Sequence, residues 1–313
     1  MLRYLTDQYR WEEKIPDDTS ICWIDLLNPT REEELVTERF LGIDIPTQEE
    51  LHEIEPSSRL YEKKSSLFMT VNVPVEEGIS QLRLIPVTFV ITHNHLVTLR
   101  YEETPILESF IYKLAHSKPL LEPLSLFLRL LNALVDAVAD LLEQSIAEIE
   151  RISRHIFTGK REASPIFSGN TIRNLLMRIG SNGEQVSSLR DSLISFIRLS
   201  SFLDKEREGM TTITMIQRDL LALSDQASFI ANKSTFLLNA TLGLVNLQQN
   251  DIIKIFSVVA VILLPPTLLA SLWGMNFYYM PELSAPFGYP LALMLIIFSG
   301  LLPYLYCKKR GWL

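Results

Sequence analysis

The hydrogen-bonding residues of the apolar C-terminal part of this chain follow one rule of spacing. Counting sevens and threes from Asn250 gives Asn250, Ile253, Ser257, Ala260, Leu264, Thr267, Ser271 and Gly274, and the stripe runs into Gly274-Met275-Asn276. Every Ser, Thr and Gly between Ile252 and Gly274 falls on it, while the remaining positions are bulky and apolar apart from Lys254 and Ala270. A 3.5-residue period makes one continuous helical face. Two chemistries suit such a face. Small residues let two helices approach closely in lipid, or the same oxygens face water at the centre of a ring of copies. Pro265-Pro266 lies mid-way and frees the carbonyls of Val261 and Ile262. In hydrocarbon those oxygens need protein or cavity water, which favours a wet face, although a kinked, packed helix would look the same.

Two apolar runs must position this face. Ile252 to Trp273 is broken only by Lys254, and Tyr289 to Cys307 carries no charge. Each is long enough to cross a hydrocarbon core of about 30 Å as a helix. The connection, 277–288, is too short for a domain, so the pair reads as a membrane hairpin. Lys254 at the start of the first run and Lys308-Lys309-Arg310 after the second form a basic inner ring, while the connection holds one charge, Glu282. The positive-inside rule then places both termini in the cytoplasm and the loop outside. Trp273, Phe277, Tyr278, Tyr279, Phe287 and Tyr289 suit an outer aromatic belt, and Tyr304 and Tyr306 an inner one. Met1 to Asp25 is polar and mixed in charge, so no signal peptide is expected.

Order and spacing now become specific. Asn250-Asp-Ile-Ile-Lys254-Ile-Phe, Leu264-Pro-Pro-Thr267, Trp273-Gly-Met-Asn276-Phe, Met280-Pro-Glu-Leu283, Phe287-Gly-Tyr-Pro290 and the basic end closing in Gly-Trp-Leu313 follow one another over roughly the last 65 residues. This ordered set resembles the CorA family of magnesium transporters. The resemblance implies a homopentamer with a funnel-shaped cytoplasmic domain. Gly274, Met275 and Asn276 would form its outer ion-selecting mouth. Ser257, Leu264 and Thr267 match pore-lining positions, with Leu264 a hydrophobic constriction. Ile253 and Phe256 match the inner gate and Asn250 the ring at its cytoplasmic end, while Ser271 extends the stripe outward. Family members often carry an acid just after Gly-Met-Asn-Phe, where this chain has Tyr278; Glu282 alone is left to attract cations.

These residue types suit the implied task. Mg²⁺ gives up its water reluctantly, so a site that must release it quickly should bind the hydrated ion. Neutral oxygens of Asn276 and of backbone carbonyls can hydrogen-bond the hydration shell without trapping the ion, as conduction requires. Gly274 is expected to let the chain turn out of the helix. No phosphate-binding glycine loop is present, and none is needed. The membrane potential is worth about 2.3 kcal/mol per charge per 100 mV, hence roughly 4.6 for a dication. An open pore would then be harmful, so a large intracellular part fits a sensor that closes it when the ion is plentiful.

The first 250 residues carry no comparable motif. A net charge of −8, from 37 acids against 29 bases, argues against nucleic acid and allows cation sensing. Acid clusters such as Glu32-Glu33-Glu34 read as solvated faces. Cys22 and Cys307 are too far separated in type of region to suggest a disulfide. No nucleophile–base pair or metal-ligand spacing appears, so no enzyme and no prosthetic group are expected. Strands are expected at 20–26, 66–73, 82–91 and 96–101, a helix at 29–40 opened by Thr30, and helices at 124–157 and 170–202, with Gly180 and Gly183 as weak points. His93-Asn94-His95 reads as a hairpin tip. No proline lies between Pro165 and Pro265, so about Thr211 to Trp273 can be one helix of about 95 Å. Asp219 and Asp225 lie on it, either as an exposed face or as ligands of a regulatory metal shared with a neighbouring subunit.

The expected fold is an α/β cytoplasmic domain (1–122), a cytoplasmic helical hairpin (123–210), a stalk helix (211–251) continuous with a pore-lining first span (252–276), an external loop (277–288), a second span (289–307) and a basic cytoplasmic tail (308–313). The expected function is a gated, potential-driven divalent-cation channel in a bacterial inner membrane. It would carry Mg²⁺, with Co²⁺ or Ni²⁺ as further cargo, and respond to intracellular divalent ions; lipid and further copies of the chain are its partners. The alternatives are a zinc transporter of the ZntB type and a non-conducting, membrane-anchored regulatory protein.

Overall fold

Period-two alternation builds the first part of the molecule. The computed structural model describes residues 1–6, 11–12, 21–51, 56–78, 81–117, 122–158, 169–206, 211–275, 278, 280 and 287–312. They divide into two units, Met1–Leu238 and Asn239–Leu313. Among the described residues one seven-stranded sheet forms from β1 (Leu2–Thr6), β2 (Trp11–Glu12), β3 (Ile21–Leu27), β4 (Leu60–Lys63), β5 (Ser66–Glu76), β6 (Leu82–Ile91) and β7 (Leu96–Arg100). Its order is β2-β1-β3-β7-β6-β5-β4. Strand β3 pairs parallel with β7, Trp23 opposite Leu96 and Asp25 opposite Thr98, and the other neighbours are antiparallel.

Successive side chains of a strand point to opposite faces, and here both faces are buried. Leu5, Trp23, Met69, Phe89 and Leu96 enter one core, while their neighbours Tyr4, Ile24, Phe68, Val90 and Val97 enter the other. The first core is completed by helices α4 (Pro105–Ser117), α5 (Pro123–Thr158), α6 (Gly169–Glu206) and the early part of α7 (Thr211–Trp273). The second is closed by Ile43, Ile45 and Leu51 around α1 (Arg31–Leu41) and α2 (Gln48–Leu51). Helix α1 opens on a capping box: Thr30 Oγ1 accepts from the Glu33 amide at 3.3 Å, and Glu33 accepts from the Thr30 amide at 2.8 Å. Short α3 (Pro56–Arg59) precedes β4.

The expected architecture, α/β followed by long helices, is what forms. Strands β1, β2 and β4 and helix α4 had no counterpart in the reading of the sequence. Gly180 and Gly183 do not weaken α6, which runs through both. Packing overrides their low propensity: Ile179, Val186 and Leu189 are buried beside them, and the Asn182 amide donates to the Ser145 carbonyl at 3.1 Å.

One polar group pierces the sheet. Asp25 and Arg100 are fully buried. Asp25 accepts from Arg100 Nη2 at 2.9 Å, Arg3 Nη2 at 2.6 Å and Thr98 Oγ1 at 2.6 Å, and Thr98 accepts from Trp23 Nε1 at 3.2 Å. Glu108 of α4 completes the set, 2.6 Å from Arg100 and 2.9 Å from Arg3. Two acids and two arginines thus neutralise one another where an unpaired charge would be costly.

Candidate functional site

The later part of α7, from Asn239, and α8 (Gly288–Lys309) form the second unit. Both are long and apolar enough to cross a membrane. Helix α7 continues through Pro265 and Pro266, which lack the amides that would bond Val261 and Ile262. Helix α8 returns antiparallel to it. Near one end Lys254 Nζ donates to the Gly311 carbonyl at 3.3 Å. Further along, a Cβ built on Gly300 would lie 3.1 Å from Pro266 Cγ and 3.5 Å from the Ile262 carbonyl oxygen. The end of α8 is a Schellman turn. The Trp312 amide bonds the Cys307 carbonyl at 3.0 Å, the Gly311 amide bonds Lys308 at 3.2 Å, and Gly311 takes φ +68°.

Burial separates two faces of α7. The side toward α8 is Lys254, Val258, Ile262, Pro265, Pro266, Leu269 and Trp273, all at least partly covered, with Val258 only 3% exposed. The other side holds Asn250, Ile253, Ser257, Ala260, Leu264, Thr267, Ser271 and Gly274, and each of these is exposed. Phe256, beside the stripe, is 71% exposed. The polar stripe is therefore not the contact between the two helices of this chain. The close-packing face belongs to α8 instead: Gly288, Ala292, Ile296, Ser299, Gly300, Pro303 and Cys307 are its covered residues, and most are small. Gly288 just precedes the second apolar run, and Ala292, Ser299 and Gly300 interrupt its bulky residues.

Two hydroxyls of the stripe, Ser257 and Thr267, have settled their own donors. Ser257 Oγ donates to the Ile253 carbonyl at 2.8 Å, and Thr267 Oγ1 to the Leu263 carbonyl at 2.5 Å. Each keeps lone pairs free to accept, so at Ser257 and Thr267 the face presents acceptors. A hydrated cation offers the reverse, since its bound waters donate hydrogen bonds.

Of the expected mouth, Gly274 and Met275 are described and both are exposed; Asn276 and Glu282 lie outside the described residues. Gly274 is the first residue beyond α7, which ends at Trp273. Its amide still bonds the Ala270 carbonyl at 3.0 Å and its φ is not positive, because the helix carries on to this point. Lys308, Lys309 and Arg310 stand exposed at the end of α8. In the first unit Asp219 lines an open cleft of about 610 Å³ with Glu122, Ser125, Arg129, Asn132 and Thr212. Asp225 is exposed and takes no part in that cleft. Among the described residues no three His, Cys, Asp or Glu side chains gather closely enough to hold a metal.

The model of the CorA-like Mg2+ transporter protein family matches residues 18–309. The chain belongs to that family. Among CorA relatives, the magnesium transport protein CorA of Haemophilus influenzae (strain 86-028NP) is 34% identical over 310 residues, covering 97% of this chain and 96% of its own. The complete structure of the CorA magnesium transporter from Methanocaldococcus jannaschii has the same fold, with a TM-score of 0.78 at 20% identity, over 100% of this chain and 98% of that one. The ZntB cytoplasmic domain of Vibrio parahaemolyticus RIMD 2210633 gives a TM-score of 0.52 at 9% identity, over 78% of this chain and 97% of that one. It shares the fold of the soluble unit and does not bear on the ion carried. CorA-like proteins are transporters, not enzymes, and the two long apolar helices of this chain accord with a membrane protein.

Proposed function

We propose that five copies of this chain enclose a gated pore that admits divalent cations, Mg²⁺ foremost with Co²⁺ or Ni²⁺ as further cargo, across a bacterial inner membrane. The observation that carries this reading is the exposure of the whole polar stripe on the side of α7 turned away from α8. A two-helix unit cannot wall a passage, whereas copies meeting through that side surround one. Asn250, Ile253, Phe256, Ser257, Leu264, Thr267 and Ser271 then line it, with Leu264 as the apolar constriction. Gly274, Met275 and Asn276 form the mouth, Glu282 is the charge of the external loop, and Lys254, Lys308, Lys309 and Arg310 ring the inner end. Both termini face the cytoplasm. The hydrated ion moves down the membrane potential, and intracellular Mg²⁺ acting on the soluble unit, with Asp219 and Asp225 on α7, closes the pore.

The test is divalent-ion flux into proteoliposomes, with potential and internal Mg²⁺ varied independently. Mg²⁺ influx should rise with inside-negative potential and fall when Mg²⁺ is loaded inside. Asn276→Ala should abolish influx in a protein that still assembles; undiminished influx would remove the mouth from this account. Zn²⁺ outcompeting Mg²⁺ in the same vesicles would make the chain a zinc transporter, and a monomer or dimer in mild detergent would support a non-conducting role.

A further inference from the structure

Gly300 of α8 packs directly against the proline segment of α7. A methyl group there would come within 3.1 Å of Pro266 Cγ, a ring fixed to the backbone of α7, and 3.5 Å of the Ile262 carbonyl oxygen. That oxygen is one of the two left without an amide by the proline pair. The missing side chain at Gly300 therefore leaves room for that carbonyl and lets the proline segment lie directly on α8. The two residues flanking Pro265-Pro266 are Leu264 and Thr267, both exposed on the far side. Where the prolines rest against α8 sets where those two side chains stand.

We infer that Gly300 is a positioning residue for ion passage: by leaving room for Pro266, it holds the Leu264–Thr267 segment of α7 back from the axis. The inference rests on the proposed pore. It has a direction, because Gly300 and the polar stripe lie on opposite sides of α7. Anything inserted between the helices pushes the stripe toward the centre and narrows the passage at Leu264. The groups that a side chain at Gly300 would meet, Pro266 and Ile262, are not part of the mouth, so the ion's apparent affinity should not change with it. The covered residues Val258 and Cys307, 3% and 2% exposed, lie on the same contact face nearer the Lys254–Gly311 end. That end is pinned, so a wedge at Gly300 tilts α7 rather than releasing it.

The experiment is Mg²⁺ influx into proteoliposomes for the full-length wild type, Gly300→Ala, Gly300→Val, Pro266→Ala and the Gly300→Ala/Pro266→Ala pair, with oligomeric state checked in detergent. Overpacking by one methyl against a ring that can yield slightly should lower maximal influx by about threefold, and valine by about tenfold or more. The half-saturating Mg²⁺ concentration should stay that of the wild type. Removing the ring should cancel the effect, so that Gly300→Ala costs nothing in the Pro266→Ala background. Unchanged or raised maximal influx in both Gly300 variants would overturn the inference. So would an equal loss with and without the proline ring, or a loss confined to half-saturation. If Gly300→Val fails to assemble, the alanine cycle decides alone. A wild type that conducts no divalent ion would instead defeat the pore reading on which the inference stands.

Discussion

At the scale of single residues, Asp25 occupies a strand position where leucine or valine would ordinarily stand, and its partners come from β1 and β7, whose arginines also hold Glu108 of α4. Burial alone would raise the pKa of the associated Glu108. Hydrogen bonds from Arg3 and Arg100, and then their charges, outweigh burial and bring it from its ordinary 4.5 down to about 2. A carboxylate depressed on folding stabilises the native state above its unfolded pKa, and that contribution is lost as pH falls through the folded value. Thermal stability in detergent should therefore gain a pH dependence between about 4.5 and 2 that Glu108→Gln lacks. A wild type and variant with parallel profiles there would contradict it. The sequence showed Asp25 inside an apolar strand and Arg100 at the end of another, but not their pairing, because the parallel register of β3 on β7 joins residues 75 apart. The stripe from Asn250 to Gly274 needed no such knowledge, since a helix places its own members on one face.

At the scale of elements, helix termini were the least legible and helix continuity the most. A stretch without proline from residue 166 to 264 was enough to expect α7 as one helix, and Thr30 announced the start of α1. Gly180 and Gly183 misled because propensity is small beside the burial of their neighbours. The end of α8 was read only as a basic cluster, yet Gly311 closes it in a left-handed turn whose carbonyl receives Lys254. An alanine forced into that conformation costs about 1 kcal/mol. Gly311→Ala should therefore fray the last turn, seen as faster amide exchange at Lys309 to Trp312 with α7 unaffected. Unchanged exchange there would mean that the turn is held by something other than its glycine.

At the scale of the whole molecule, the pair formed by α7 and α8 is unequal from side to side. Side chains on the stripe are largely small, whereas Leu291, Met294, Ile297, Phe298, Leu301 and Leu305 crowd the outer surface of α8. In the proposed assembly such a pair acts as a keystone, with small side chains along its inner edge and large ones along its outer edge. Keystones set slim edge inward close into an arch of fixed size, which is how identical subunits form a finished circle rather than an endless row. In that proposed assembly the taper is what sets the copy number. Thickening the slim edge with Ala260→Leu should flatten each wedge and admit an extra copy, visible as a heavier assembly by native mass spectrometry. On this view the methyl group of Ala260 helps to count the subunits, although it touches neither the ion nor the gate.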